Sequence, residues 1–330
     1  MRRVAKPEGQ FNIIIEEVEK PGLSPHEVLV RSERTLISRG SEIWRRYVAA
    51  EAIDPAIMGY SQAGVVVEVG AEVGNEVDGE VTGIKVGDRV ATLRPHAEFV
   101  VVDTQRHAND IIAIPDDVSA EAATFWPLAK SALRWMAATK VHKGQTMVVL
   151  GQGLVGSICM QVAKRVHGAH IIAVDALPLR CQLAERLGAD EVIDISSEDP
   201  VEAVSKLTEG EGADFVIEAV GGRAGAAAFA QAQDMVKRGG LIQVLGLYEG
   251  EPLPLDSSKI QGRRILGGII DVDDKTIIEA GEQAMGHLRA GVIATEDMVT
   301  HRMPFTDAAA AFDLLYNKLG ETMAVTLVWD

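Results

Sequence analysis

The chain has 330 residues, of which 47% are hydrophobic and 24% charged, so it is long enough for two domains that share an interface. Its net charge of −16 argues against a nucleic-acid partner, because phosphate binding needs clustered Lys and Arg. No apolar run reaches the length of a signal peptide or a membrane span, and we expect a cytoplasmic protein with no membrane partner. The two cysteines, Cys159 and Cys181, exclude a disulfide scaffold and a cysteine-built zinc site.

Short valine-rich segments, separated by Gly and Pro, fill the first hundred residues. They predict strands at 13–15, 27–30, 63–69, 88–92 and 98–102. This pattern indicates an all-β domain in the form of a twisted barrel. The acidic stretch 73–82 (VGNEVDGEVT) predicts a lengthened hairpin at the surface.

Strands and helices alternate from about residue 120 onward. A helix is predicted over 120–140, and strands are predicted at 147–150, 170–174, 191–195, 215–218 and 241–245, with helices between them. Such alternation predicts parallel βαβ units in a doubly wound sheet. The last segments, a helix at 306–319 and a strand at 324–329, are expected to return to the first domain, so that the second domain is inserted into it.

A glycine fingerprint follows the first strand of the predicted parallel sheet. Gly151 permits a tight turn, Gly153 lets the backbone approach a pyrophosphate, and Gly156 lets helix and strand pack closely. Asp175, at the end of the next strand, can accept hydrogen bonds from ribose hydroxyls, which favours NAD over NADP. Asp175 can also act as a helix cap, and Arg180 is close enough in sequence to meet the extra phosphate of NADP.

Segments over essentially the whole chain resemble the medium-chain dehydrogenase/reductase superfamily. They are 64–70 (GVVVEVG), 85–90 (KVGDRV), 96–100 (HAEFV), 149–156 (VLGQGLVG) and 218–221 (EAVG). Within the superfamily, 37–42 (ISRGSE) and 59–61 (GYS) resemble the subgroup around bacteriochlorophyllide dehydrogenases, which also holds sugar and polyol dehydrogenase relatives.

The resemblance implies an α/β fold in which a Rossmann domain is inserted into a GroES-like β-barrel catalytic domain. The boundaries that we expect are 1–127 plus 271–330 for the catalytic domain and 128–270 for the NAD-binding domain. It also implies a homodimer or homotetramer, for which 262–270 is a candidate sheet-edge segment. The predicted cofactor-binding residues are Gly151, Gln152, Gly153, Leu154, Val155, Gly156, Asp175, Arg180, Val220, Gly221, Leu245, Gly246, Leu247 and Ile269.

The chain departs from the zinc-dependent relatives at each expected ligand position. Their Cys-Gly-Ser/Thr-Asp turn is RGSE at 39–42, their Gly-His-Glu is GYS at 59–61, and their Glu-Pro-Leu-Ala is WPLA at 126–129. Ser, Tyr and Trp are not zinc ligands, and the four-cysteine lobe of structural zinc is also missing from the sequence. We therefore expect a site without metal.

Protein groups would then have to stabilise the developing alkoxide and move the proton. The predicted catalytic residues are Tyr60, at the lost histidine position; His96; Lys130; and Ser41 together with Glu42. A nearby Lys130 would lower the pKa of a tyrosine. Alternatively, Tyr60 packs as an ordinary aromatic residue, His96 is structural, and Lys130 lies on a solvated helix face.

The predicted substrate pocket contains Arg39, which suits a carboxylate or phosphate, and Trp126, which either stacks on a sugar ring or belongs to the core. The favoured function is reversible oxidation of a secondary alcohol in a sugar, polyol or cyclitol, with hydride passing to or from NAD. One alternative is reduction of an activated C=C bond, as in the zinc-free quinone and enoyl reductases, which prefer NADPH. A second alternative is a protein that binds NAD without catalysis.

Overall fold

The computed structural model describes residues 1–73, 83–105, 108–247, 252–268 and 273–329. Most of the predicted acidic hairpin, and Ile269 among the predicted cofactor residues, lie outside the described residues. No helix in the described ranges is long and apolar enough to cross a membrane.

The strands of the described chain are β1 (Arg2–Ala5), β2 (Ile14–Glu17), β3 (Glu27–Leu36), β4 (Gln62–Val69), β5 (Arg89–Thr92), β6 (Phe99–Asp103), β7 (Ile111–Ala113), β8 (Thr146–Leu150), β9 (His170–Asp175), β10 (Glu191–Asp194), β11 (Ala213–Glu218), β12 (Val236–Val244), β13 (Arg264–Gly267), β14 (Val299–Pro304) and β15 (Ala324–Val328). The α-helices are α1 (Ala120–Ala123), α2 (Trp126–Thr139), α3 (Leu154–Arg165), α4 (Pro178–Leu187), α5 (Pro200–Leu207), α6 (Gly225–Met235), α7 (Asp274–Arg289) and α8 (Ala308–Asn317). A π-helix spans Arg39–Tyr47, and 3-10 turns lie at Pro55–Ile57, Ala108–Asp110, Glu296–Met298 and Phe305–Asp307.

The first sheet joins the two ends of the chain. Its strand order is β14-β15-β3-β4-β5-β7, and β6 also pairs with β3. The long strand β3 lies antiparallel to β15, with Thr326 opposite Leu36, so the last strand returns to the first sheet as expected. Val28, Leu29 and Val30 of β3 are fully buried, because this strand has neighbours on both sides.

The second sheet is entirely parallel, with the order β10-β9-β8-β11-β12-β13. Its central strands are continuous apolar runs, since helices cover both faces of such a sheet. Successive strands are added toward one edge from β8 to β10 and toward the other edge from β11 to β13. The switch point therefore lies between β8 and β11, where Leu150 is opposite Glu218. Ligands bind at the carboxyl ends of the strands beside such a switch point. The predicted α/β architecture is confirmed.

The predicted helix over 120–140 is two helices in the structure. The Ser119 side chain caps α1 by accepting from the backbone N–H of Ala122, and α1 ends at Ala123. Pro127 lies in the first turn of α2, where its missing N–H costs no helical hydrogen bond. The break therefore falls just before the proline, and it sets the direction of α2.

The largest apolar core runs from the first sheet to the second through α2. It contains Leu36 and Ala63 from the first sheet, Met147 and Val149 from the second, and Met136 of α2 between them. α2 also packs on α3 and α7. The helix that carries Lys130 is therefore held by both halves of the molecule. The domain boundaries predicted above stay a prediction.

Candidate active site

The glycine loop after β8 has the shape that the fingerprint predicts. Gly151 has a φ of +87°, and a Cβ there would lie 2.9 Å from Val220 Cγ2. A Cβ on Gly156 would lie 1.8 Å from the carbonyl oxygen of Gly151. A Cβ on Gly153 meets no atom within 4 Å, and no side chain caps α3 at this residue. The loop thus leaves open space in front of free backbone N–H groups, which suits a pyrophosphate.

This geometry separates two alanine substitutions that look alike in sequence. Gly153→Ala should leave the thermal unfolding midpoint nearly unchanged while weakening cofactor binding, because its methyl group enters space that is empty in the protein alone. Gly156→Ala should lower the midpoint itself, because its methyl group overlaps the Gly151 carbonyl. Differential scanning calorimetry with a titration of NADH checks both, and equal unfolding midpoints for the two variants would contradict this assignment.

Asp175 ends β9 beside this loop, and its carboxylate is anchored by backbone. One oxygen accepts from the N–H of Gln152 at 2.7 Å and lies 3.6 Å from an Arg180 nitrogen. The other accepts from the N–H groups of Ala176 and Leu177 at 2.8 and 3.0 Å. Asp175 therefore caps the turn into α4 and also presents negative charge at the carboxyl end of the strand, so the two predicted roles are compatible.

Arg39 reaches the same region from the π-helix. It donates to the carbonyl and hydroxyl oxygens of Thr322. Burial, reinforced by the positive charge of Arg180, lowers the pKa of Arg39 to about 9, and Asp175 opposes that shift. Arg39 is predicted for the substrate pocket; in the structure it lies near Asp175 and Arg180 and is not among the residues that line the cavity described below.

The later turns of the parallel sheet close the other side of the nucleotide region. The N–H groups of Leu245 and Gly246 both donate to the carbonyl of Glu218, at 2.7 and 3.0 Å. Leu247 accepts from the N–H of Gly222, where a Cβ would lie 2.9 Å from the ring of Trp44. A π-helix residue from the first sheet's side thus packs directly on the turn that includes the predicted residues Val220 and Gly221.

Tyr60 is bound by two serine hydroxyls that lie at the start of the π-helix. Its phenol donates to Ser38 Oγ at 2.7 Å, and the Ser41 side chain also hydrogen-bonds to it. Burial raises the pKa of Tyr60, and the charge of Glu42 acts in the same direction. The serine hydrogen bonds and Arg46 partly oppose that rise. Ser38 was missing from the predicted catalytic residues, although it directly precedes the altered ligand motif.

Behind this tyrosine, Glu42 and His96 form a fully buried pair. His96 Nε2 lies 2.8 Å from one Glu42 oxygen, and the other oxygen accepts from the backbone N–H of Ser38 at 2.7 Å. Gly59, with a φ of +103°, lets the chain pass against the imidazole, since a Cβ there would lie 2.9 Å from the ring carbons Cγ and Cδ2 of His96 and 2.8 Å from its backbone nitrogen. His96 was predicted as catalytic, but it lies beneath the π-helix and braces it.

A cavity of about 260 Å³ lies on the other side of Tyr60. Tyr60, Leu93 and Asp110 form part of its wall, and one face of α2 and Ile277 of α7 complete it. Lys130 of α2 lines the cavity and is only 4% exposed, so the alternative of a solvated helix face is wrong. Burial lowers the pKa of Lys130 to about 8. The structure therefore brings two of the predicted catalytic residues, Tyr60 and Lys130, to one cavity.

Trp126 supports Lys130 and belongs to the core. Its indole N–H donates to the carbonyl of Gly281 at 2.8 Å, and its ring lies 4.2 Å from Lys130 Nζ. It is 2% exposed, which favours the core alternative over stacking on a sugar ring.

The donor set at this site does not fit zinc. The side chains at the three aligned ligand positions are the guanidinium of Arg39, the phenol of Tyr60 and the indole of Trp126, none of which is a usual zinc ligand. Across the described ranges, no group of three or more His, Cys, Asp or Glu side chains could hold a metal ion. Glu42 and His96 supply two such groups, and each already accepts or shares a hydrogen bond with the protein.

Comparisons with known proteins agree with this architecture. The family model for zinc-binding dehydrogenases matches residues 155–279. An L-threonine 3-dehydrogenase of Bacillus licheniformis is 27% identical, with 99% of each chain covered. A zinc-binding dehydrogenase of Sinorhizobium meliloti bound to NADP has a TM-score of 0.82 at 22% identity, with 99% of each chain covered. An Escherichia coli alcohol dehydrogenase complexed with NADH has a TM-score of 0.81 at 21% identity and the same coverage.

The sequence matches cover both halves of the chain, and the structural matches cover the arrangement of the two sheets. They agree with the glycine loop that lies at the switch point of the parallel sheet. The chain is therefore an oxidoreductase, similar over essentially its whole length to dehydrogenases that act on alcohols.

Proposed function

We propose that the protein is an NAD-linked dehydrogenase that interconverts a secondary alcohol and a ketone without a catalytic metal, the alcohol belonging to a sugar, polyol or cyclitol. The observation that carries this proposal is Tyr60, whose phenol is hydrogen-bonded to Ser38 and Ser41 and which lines the same cavity as Lys130. Tyr60 stands where the resemblance to zinc-dependent dehydrogenases would put a histidine ligand. L-threonine, for which a relative is named, is itself a secondary alcohol.

The residues around the glycine loop fit a dinucleotide. Backbone N–H groups at the start of α3 would bind the pyrophosphate, and Asp175 would accept from the ribose hydroxyls. Val220, Leu245 and Leu247 lie on the turns that follow β11 and β12, where they would contact the nicotinamide half of the cofactor. When bound, the nicotinamide supplies the centre that accepts or donates a hydride.

Tyr60 is the residue that we assign to proton transfer. In the reducing direction its O–H would protonate the substrate oxygen, and in the oxidising direction its phenolate would accept the alcohol proton. The hydroxyls of Ser38 and Ser41 hold the phenol in place and can donate to it once it is ionised. The positive charge of Lys130 on the same cavity would stabilise the developing alkoxide.

Turnover measurements test whether the protein oxidises a C–OH group, reduces a C=C bond or does neither. Purified protein should oxidise secondary alcohols from a panel of sugars, polyols and cyclitols with NAD. Turnover that is confined to quinones or enoyl substrates, with NADPH, would favour the C=C reductase instead. Binding of NADH without turnover of any class, in protein of native fold, would favour the non-catalytic alternative.

The preference for NAD is assigned to Asp175. Asp175→Asn keeps the shape of the side chain but removes its charge, so it should raise the KM for NAD by about 10- to 100-fold, because hydrogen bonds to charged groups contribute about 1.5–3 kcal/mol. The ratio of kcat/KM for NAD over NADP should fall. The control is Asp190→Asn, which alters a carboxylate bound to Ile171 N–H and Lys164, outside the glycine loop. An unchanged ratio in Asp175→Asn would refute the assignment.

We also propose that the protein assembles as a homodimer or homotetramer. Strand β13 is the edge of the parallel sheet, and it lies within the predicted segment 262–270. Its residue Ile265 is 41% exposed, which leaves an apolar side chain beside unpaired backbone groups. Sedimentation equilibrium tests the assembly, and a monomer at micromolar concentration would exclude it.

A further inference from the structure

Lys130 is a buried cation that lacks a carboxylate partner among the residues that the structure describes. Its ammonium donates to the carbonyl of Asn109 at 2.7 Å and lies over the ring of Trp126. The carboxylate of Asp110 is the acidic group that acts on Lys130, but it is ion-paired with Arg94 at 2.8 Å. Buried charges in proteins are normally paired with an opposite charge, because desolvation is expensive. The lysine therefore has unused capacity to bind an anion.

The open side of this ammonium is the cavity. One face of α2 lines the cavity, through residues at helical spacing: Pro127, Lys130, Ser131 and Arg134. Two of these four residues are cations. Asp110 is the one carboxylate on the described wall. An anion bound beside Lys130 would therefore have a second cationic side chain on the same face of α2.

Tyr60 shares the cavity, so a ligand held at Lys130 is also next to the residue assigned to proton transfer. A volume of about 260 Å³ is slightly below the range of about 300–1,000 Å³ that is usual for ligand pockets. The substrate must therefore be small, with its anionic group and its reacting hydroxyl close together.

We propose that the substrate is a small acidic alcohol whose carboxylate or phosphate group binds to Lys130. This inference rests on the proposed function, since it names the substrate class of the same site. Lys130 would then bind the substrate in addition to stabilising the developing alkoxide.

Calorimetric titration of the NADH-bound protein with inorganic phosphate and with malonate tests the binding step without turnover. Both Lys130→Met, which keeps the apolar stem, and Lys130→Arg, which keeps the charge, are titrated at pH 8. We expect wild type and the arginine variant to bind at least one probe, and the methionine variant to bind at least about tenfold more weakly. Phosphate-only binding identifies a phosphorylated substrate, and malonate-only binding identifies a hydroxy acid.

Proton exchange gives a second readout on wild type alone. Lys130 has a pKa of about 8, so at pH 8 it is about half protonated, and an anion would hold it in the charged form. Binding should then take up about half a proton, measured by titration in two buffers of different ionisation enthalpy. Failure of both probes to bind wild type, or equal binding by wild type and Lys130→Met, would overturn the proposal.

Activity on matched alcohols separates this proposal from the proposed function. Suppose that wild type oxidises neutral and anionic alcohols with the same kcat/KM, and that Lys130→Met also shows no difference between them. That result would refute the anion site but leave the proposed dehydrogenase activity standing. Anion binding that depends on Lys130, without oxidation of any alcohol, would support the anion site and refute the proposed dehydrogenase activity.

Discussion

Tyr60→Phe should lower kcat by about 10²–10⁴-fold, the range expected for loss of a general acid–base group. The substitution removes one oxygen atom and keeps the ring that packs beside the main core. The KM for NAD should stay within about threefold, because no proposed cofactor contact involves this residue. Steady-state kinetics in both directions measures the effect.

The pH profile gives this prediction a definite sign. Burial raises the pKa of Tyr60 above its ordinary value of about 10, so the phenolate is scarce at neutral pH. While Lys130 is still charged, below its pKa of about 8, alcohol oxidation in wild type should therefore accelerate by about tenfold for each unit by which the pH rises. The residual rate of Tyr60→Phe should not follow this slope.

Tyr47→Phe is the matched control for this substitution. Tyr47 is a buried phenol in an aromatic cluster with Phe11, Phe312 and Tyr316, and it is not part of the cavity wall. Its kcat should be close to that of wild type. A Tyr60→Phe enzyme with full kcat and an unchanged pH profile would remove Tyr60 from the mechanism.

Glu42→Ala should lower the free energy of unfolding by about 3–5 kcal/mol, as expected when one partner of a buried ionisable pair is removed. The change leaves His96 Nε2 and the backbone N–H of Ser38 without their acceptor in a fully buried region. Because Ser38 in turn binds Tyr60, kcat should fall as well. Urea unfolding followed by circular dichroism measures the stability change.

Glu321→Ala is the control for the buried pair. Glu321 meets Lys318 at the surface, where both side chains are more than half exposed, and such pairs contribute about 0–1 kcal/mol. Equal losses in the two variants would show that the Glu42–His96 pair does not hold the π-helix.

The cofactor region was the most predictable part of the site, because its residues are close together in the chain. Gly151, Gly153 and Gly156 lie within six residues: a Cβ at Gly151 or Gly156 would meet neighbouring atoms, and Gly153 keeps open the space that a pyrophosphate needs. Asp175 followed from the regular length of one βαβ unit. The parallel sheet was likewise predictable, because strands that alternate with helices along the chain pair in parallel.

The proton-transfer site was harder to predict because its contacts are distant in sequence. Tyr60 and Ser38 are 22 residues apart, and His96 and Glu42 are 54 apart. The candidate residues were recognised singly, but the pattern did not reveal that His96 pairs with Glu42 beneath the π-helix. The burial of Lys130 depends on how α2 packs against α7, which the helical spacing alone does not determine.

The most direct test of the central claim is the metal content of the purified protein, combined with NAD-dependent oxidation of secondary alcohols before and after treatment with a chelator. The donor set around Tyr60 predicts protein without stoichiometric zinc and activity that the chelator leaves unchanged. Stoichiometric zinc, with activity that is lost on chelation and restored by zinc, would contradict the assignment of proton transfer to Tyr60 and its two serines.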